Sequence, residues 1–223
     1  MFGRDSGDTS DDPDFSTARN RMVDALVEAG KIEREATIDA LRAVPRHEFV
    51  PESRRGEAYA DRPLPIGDGQ TISAPHMVGI MCDLLAPDPG DSVLEIGTGC
   101  GYHAAVTAEI VGSENVYSVE YVESLAEASR DRLDRLGYGD VRVRVGDGHD
   151  GWPAHAPYDG AYLTCAASEL PESVIEQLRV GGRIVAPIGT ARQTLIEVNR
   201  TADGLDRETH GAVRFVRMQD GER

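Results

Sequence analysis

The stretch SVLEIGTGCGY, residues 92–102, joins a short apolar run to a turn built on alternate glycines and then to the helix-forming segment that follows it. An apolar run this short, bounded by glycine, reads as a buried strand, and the apolar residues from Tyr102 to Val111 read as a helix. Glycine lets the backbone turn sharply and approach a ligand at the carboxyl end of such a strand, where open α/β sheets bind ligands. The spacing is G-x-G-x-G with Glu95 just before it, not the G-x-G-x-x-G that seats a pyrophosphate. Glu95, Gly97, Thr98, Gly99 and Gly101 are therefore candidate binding residues for a ligand without phosphates.

Downstream the pattern repeats. A strand VYSVE (116–120), an amphipathic helix through 121–137, a strand VRVRVGD (141–147), a strand GAYLT (160–164), a helix PESVIEQL (171–178) and a strand RIVAPIG (183–189) follow in turn. Strands alternating with helices predict an α/β, Rossmann-like, mostly parallel twisted sheet with helices on both faces. Glu120 closes the second strand about 20 residues after the loop, where a carboxylate accepts hydrogen bonds from both hydroxyls of a ribose. Asp147, followed by Gly148, closes the third strand within reach of an adenine edge. These acids fall at successive strand ends in the order the fold requires, so the site reads as a nucleoside site.

At the other end, TLIEVNR (194–200) and AVRFVRM (212–218), separated by a polar stretch, predict an antiparallel C-terminal edge hairpin on the parallel sheet. Upstream, residues 1–14 are polar and acidic and read as a disordered tail. Helical spacing from Phe15 to Ala29 and through 35–44 predicts an N-terminal helical cap, and the Pro- and Gly-rich stretch 45–70 an extended, looping region. A helix then begins near Pro75. The expected organisation is a single domain over 15–223 in three parts: a cap over 15–74, a ligand-binding core over 75–190 and the hairpin over 191–223.

Composition narrows the partners. The formal charge is −16, from 39 acidic and 23 basic residues, and disfavours a nucleic acid, which is held by clustered cations. Lys31 is the sole lysine, and the carboxylates are spread along the chain. Such a surface repels itself in dilute buffer and is screened in concentrated salt, so adaptation to a salt-rich cytoplasm is expected. Three cysteines without ligand spacing read as reduced thiols, no apolar run is long enough for a membrane span, and no histidine pattern suggests a metal.

VPRHEFVPE (44–52), AYADRPLPIGDGQTISAPHM (58–77), VLEIGTGCGY (93–102), GDGHDGWPAHAPYD (146–159), QLRVGGRIVAPIG (177–189) and AVRFV (212–216) resemble, in order, the signatures of protein-L-isoaspartate O-methyltransferases, within the class I S-adenosylmethionine-dependent methyltransferases. The resemblance implies S-adenosyl-L-methionine as cofactor, with Thr71 joining Glu95, the glycine loop, Glu120, Asp147 and Gly148 around it. It implies methylation of the α-carboxylate of L-isoaspartyl residues in damaged proteins, after which the ester closes to a succinimide. It also implies a monomer, while the residues themselves predict a metal-free, cytoplasmic protein. Ser73 is the expected catalytic residue, orienting the acceptor carboxylate, with Ala74 and His76 beside the substrate; in the plainer reading Ser73 only caps the helix that follows. Two segments depart from the family pattern. FVRMQDG replaces the commoner FVPL and puts Arg217 where proline is usual, and TCAASELP (164–171) replaces an AAP pattern.

Three other readings compete. They are a methyltransferase of the same fold with another acceptor, a binding protein that keeps the pocket without chemistry, and a nicotinamide oxidoreductase. The last lacks the dinucleotide spacing and an evident proton-transfer residue.

Overall fold

The computed structural model describes residues 13–219, and most of the acidic N-terminal stretch lies outside them. Its last two residues, Pro13 and Asp14, already belong to helix α1 (Pro13–Glu28), where proline suits a first turn that needs no N–H partner. Helix α2 (Glu35–Ala43) follows. The stretch expected to loop is more regular than its composition suggests, holding two 3-10 turns, Arg46–Phe49 and Glu52–Glu57, and a hairpin of β1 (Leu64–Gly67) and β2 (Gln70–Ile72). Asp68 and Gly69 form the hairpin's tip with φ of 48° and 70°, and two positive angles are what a primed two-residue turn demands.

From α3 (Pro75–Leu85) onward the alternation is as read: β3 (Val93–Ile96), α4 (Tyr102–Val111), β4 (Val116–Glu120), α5 (Glu123–Arg135), β5 (Arg142–Val145) and β6 (Tyr158–Leu163). The short α6 (Glu172–Glu176) and the long β7 (Leu178–Ile188) complete the core. Strands β8 (Gln193–Arg200) and β9 (Leu205–Val213) form the edge hairpin. Here the sequence reading is corrected. The second hairpin strand lies mostly within the polar stretch thought to be its loop, because β9 is an outer strand whose residues are nearly all exposed and so carry no alternation.

The sheet order is β5-β4-β3-β6-β7-β8-β9, with parallel pairing from β5 to β7 and antiparallel pairing beyond. Side chains alternate between two apolar layers. Val93, Val116, Tyr162, Val185 and Leu195 face α1 to α5, while Leu94, Val119, Ala161, Ile184 and Ile196 face α6 and its flanking turns. Helix α4 is almost wholly buried between the sheet and α2, with Glu109 its exposed residue. No helix of the described residues is long and apolar enough to cross a membrane.

Candidate active site

The loops after β3, β4, β5 and β6 all leave the same edge of the sheet, and a cavity open to solvent lies among them. Its lining takes Gly97, Thr98 and Gly99 from the first loop, Glu120 from the second, Gly148 from the third and Thr164 from the fourth. Thr71 and Ser73 close it from the hairpin side. Gly97 has φ of 98°, and a side chain there would collide with the Thr164 hydroxyl, so both backbone conformation and space reserve the position for glycine. Gly148 admits no β-carbon either, because one would press on Ile96 and lie 2.7 Å from Met218. The cavity floor is thus bare backbone.

Glu120 is buried yet lines the cavity, and its carboxylate accepts hydrogen bonds from the backbone N–H of Gly99 at 2.7 Å and of Val122 at 2.9 Å. It ties the glycine loop to the end of β4. Three of the expected ligand contacts are placed otherwise. Glu95 is fully buried on the core side of β3 and is absent from the lining. Strand register sets Ser118 and Tyr162 on either side of it, and their hydroxyls lie 2.5 Å and 3.0 Å from its carboxyl oxygens. Burial pushes this carboxyl up to about 8. Ser118 also meets the Thr98 hydroxyl at 2.5 Å, so Glu95 supports the loop from beneath. Asp147 turns to the backbone N–H and ring of His149, leaving Gly148 to line the cavity. Gly101 likewise stays out of the lining and begins α4.

A second, larger cavity adjoins the first. It is bordered by Ala74, His76 and Met77 on one side and by residues 212–216 on the other. Thr71, Ser73, Thr164 and Val216 line both cavities and form the boundary between them. The capping reading of Ser73 does not hold. The residue that caps α3 is Ala74, and the backbone N–H of His76 is taken at 2.9 Å by the Asp61 carboxylate, which also meets the His76 ring at 2.8 Å. The Ser73 hydroxyl has no hydrogen-bond partner among the described residues and faces both spaces. His76 is held by Asp61, and no hydrogen bond among the described residues joins its ring to Ser73.

The two segments that depart from the family pattern meet each other. Ala166 donates to the carbonyl of Val216 at 2.8 Å and accepts from the N–H of Met218 at 2.9 Å, while the Gln193 amide grips Phe215 through both its N–H and its carbonyl. Arg217 and its neighbours thereby become part of the first cavity's wall. Sequence reading assigned no side chain here to the site, since contact with β6 is a matter of tertiary placement. Cys100 and Cys165 line the same cavity with thiols raised by burial, Cys165 to about 12, so neither offers a thiolate. Among the described residues, one group of possible metal ligands, Glu197, Glu208 and His210, converges on the C-terminal hairpin outside both linings, with Glu197 already engaged by Arg183.

Comparison with known proteins gives a consistent result. Residues 17–223 match the family described as protein-L-isoaspartate(D-aspartate) O-methyltransferase. Protein-L-isoaspartate O-methyltransferase 2 of Archaeoglobus fulgidus is 53% identical over 208 residues, covering 92% of this chain and 94% of that one. The protein-L-isoaspartate O-methyltransferase of Methanopyrus kandleri is 50% identical over 210 residues, 92% and 93% of the two chains. A solved structure named protein-L-isoaspartate O-methyltransferase superposes with a TM-score of 0.82 at 31% identity, over 91% of this chain and 66% of that one.

Proposed function

The chain belongs to the protein-L-isoaspartate(D-aspartate) O-methyltransferase family, and from that premise we propose that its two adjoining cavities hold S-adenosyl-L-methionine and an isoaspartyl residue of a damaged protein. The reaction transfers a methyl group to the acceptor's α-carboxylate. The observation that carries this reading is the placement of Ser73, Thr71 and Thr164 on the boundary, where a group held in one cavity meets a group held in the other.

The residues present fit the donor. The cavity floor of Gly97, Gly99 and Gly148 admits close approach, and Glu120 offers carboxylate oxygens to ribose hydroxyls. When bound, S-adenosylmethionine supplies a methyl group on a sulfonium centre, an electrophile that needs no acid to activate it.

The acceptor makes equally small demands on acid–base chemistry. An α-carboxyl titrates at about 3.3–3.7, so it enters the site as the nucleophilic carboxylate. What the chain must do is strip water from it and fix one oxygen toward the methyl group. Ser73 does the second by donating a hydrogen bond to the other carboxylate oxygen, which explains a hydroxyl with no partner and no base. Residues 212–216 do the first by walling the acceptor cavity, whose lining contains no aspartate or glutamate in a chain that has 39 of them. Asp147 and Gly101 act one step back, by shaping the turns that present Gly148 and α4. A monomer working in a salt-rich cytoplasm completes this reading, supported by the dispersed acidic surface.

The test is transfer of labelled methyl to a short isoaspartyl peptide beside its normal aspartyl twin, in molar KCl at neutral pH. Labelling of the isoaspartyl peptide alone is the expected result. Labelling of both or neither would remove the acceptor from this reading.

A further inference from the structure

The segment that follows β9 carries two exposed arginines, Arg214 and Arg217. Arg214 lines the acceptor cavity, Arg217 lines the donor cavity, and Val216 between them lines both. The backbone on which they stand is fixed, since Gln193 grips Phe215 and Ala166 bonds to Val216 on one side of Arg217 and to Met218 on the other. Elsewhere arginines are drawn into ion pairs, as Arg54 with Glu57 and Arg135 with Glu48, or donate to carbonyl oxygens, as Arg130 and Arg132 do. Neither Arg214 nor Arg217 has an ion pair or a side-chain hydrogen bond among the described residues. The carboxylates close to the two cavities are committed, Glu120 to the backbone of Gly99 and Val122, and Asp61 to His76. In a chain with 39 acidic residues, the mouth of the site is left with two free cations.

Electrostatics gives this placement a consequence. The acceptor is an anion approaching a chain of formal charge −16, so the field at long range opposes its arrival. At 0.1 M salt that field is screened beyond roughly 10 Å, and the charges standing at the rim decide what remains. The acceptor's own carboxylate enters the cavity whatever its neighbours are, so it does not separate one peptide from another. A second carboxylate, on a residue flanking the isoaspartyl, stays at the rim and meets the field of Arg214 and Arg217. A guanidinium is weakly hydrated and matches a carboxylate in a bidentate pair, so it suits this task better than an ammonium.

We infer that Arg214 and Arg217 are specificity-determining residues, favouring isoaspartyl acceptors that carry an acidic residue beside the damaged site. The inference rests on the acceptor reading above, and the experiment separates the two. Methyl transfer by the full chain is measured on three isoaspartyl peptides that differ only in flanking the isoaspartyl with glutamate, glutamine or lysine. In about 0.15 M KCl the glutamate peptide should show a KM about 2- to 5-fold below that of the glutamine peptide, the range for exposed ion pairs, with the lysine peptide highest and kcat alike for all three. The advantage should shrink as KCl rises to molar concentration. In the double variant Arg214→Gln, Arg217→Gln the KM ratio between glutamine and glutamate peptides should fall to about one, and exchanging both arginines for glutamate should put the lysine peptide first. Equal KM for the three peptides in the parent, or a ratio that survives in the double variant, would overturn the inference. So would a loss of the same size on all three peptides, which would assign the arginines to the acceptor's own carboxylate. The ranking in the parent and its response to KCl decide the matter even if a variant fails to fold. Transfer to none of the three peptides would bring down the acceptor reading itself.

Discussion

In the proposed reaction Ser73 orients and does not attack, and that distinction is measurable. Ser73→Ala should lower kcat about 10- to 100-fold, the range for a hydrogen bond to a charged group, while calorimetric affinity for S-adenosylhomocysteine stays unchanged. Glu120→Ala should do the opposite and raise that dissociation constant at least about tenfold, since on the proposed reading it removes a ligand contact as well as the tie to Gly99. Glu95 makes a different prediction. Its carboxyl is lifted from 4.5 to about 8, chiefly by burial and against the hydrogen bonds of Ser118 and Tyr162. The folded chain therefore holds a proton that the unfolded chain has released between those values, and stability must fall as pH rises through the window. Glu95→Gln cannot lose that proton. The stability difference between variant and parent, followed by urea unfolding, should grow in the variant's favour from pH 4.5 to 8, and parallel curves would refute the buried acid. The spacing of Glu95 before the glycines was legible in sequence, but its face of the strand was not, because only pairing with β4 and β6 turns it inward.

Helix α3 shows how an element can be anchored from a distance. Its first turn is satisfied by Asp61, fifteen residues upstream, and that contact also holds His76 at the acceptor cavity. Asp61→Ala should cost about 1 kcal/mol, as the loss of a capping side chain does. In a domain of this size that lowers Tm by about 2–4 °C, and KM for the isoaspartyl peptide should rise with little change in donor affinity. An unchanged KM would detach Asp61 from the acceptor side. No local pattern announces such a cap, since the donor and acceptor are brought together by the β1–β2 hairpin between them. The hairpin itself had a signal in the Asp68–Gly69 pair, masked by the prolines around it. The parallel strands β3, β4 and β6 were legible for the contrary reason. They are buried on both faces and so read as continuous apolar runs, whereas the exposed β9 left almost no trace.

Across the whole molecule, charge is the property most directly visible in sequence and most indirectly expressed in structure. With 39 acidic against 23 basic residues, the ion pairs formed by arginine leave a large unpaired acidic surplus. Pairs such as Arg42 with Asp24 and Arg54 with Glu57 are partly exposed, so each adds little, and salt weakens the attraction within them. Salt also screens the repulsion among the surplus carboxylates, over roughly 3 Å at 1 M against roughly 30 Å at 0.01 M. At −16 the repulsive sum is the larger, so added KCl should stabilise the fold on balance. Thermal unfolding followed from low to molar KCl should show Tm rising throughout. Exchanging the exposed Asp203, Asp206 and Glu208 of the edge hairpin for Asn and Gln should raise Tm in dilute buffer and flatten its salt dependence. A Tm indifferent to KCl in the parent chain would mean that the acids are there for solubility alone. The edge hairpin is the informative place for this test, because its continuation walls both cavities. Methyl transfer should therefore recover with salt in parallel with the stability of β9, and recovery without any change in Tm would assign the salt effect to substrate association instead.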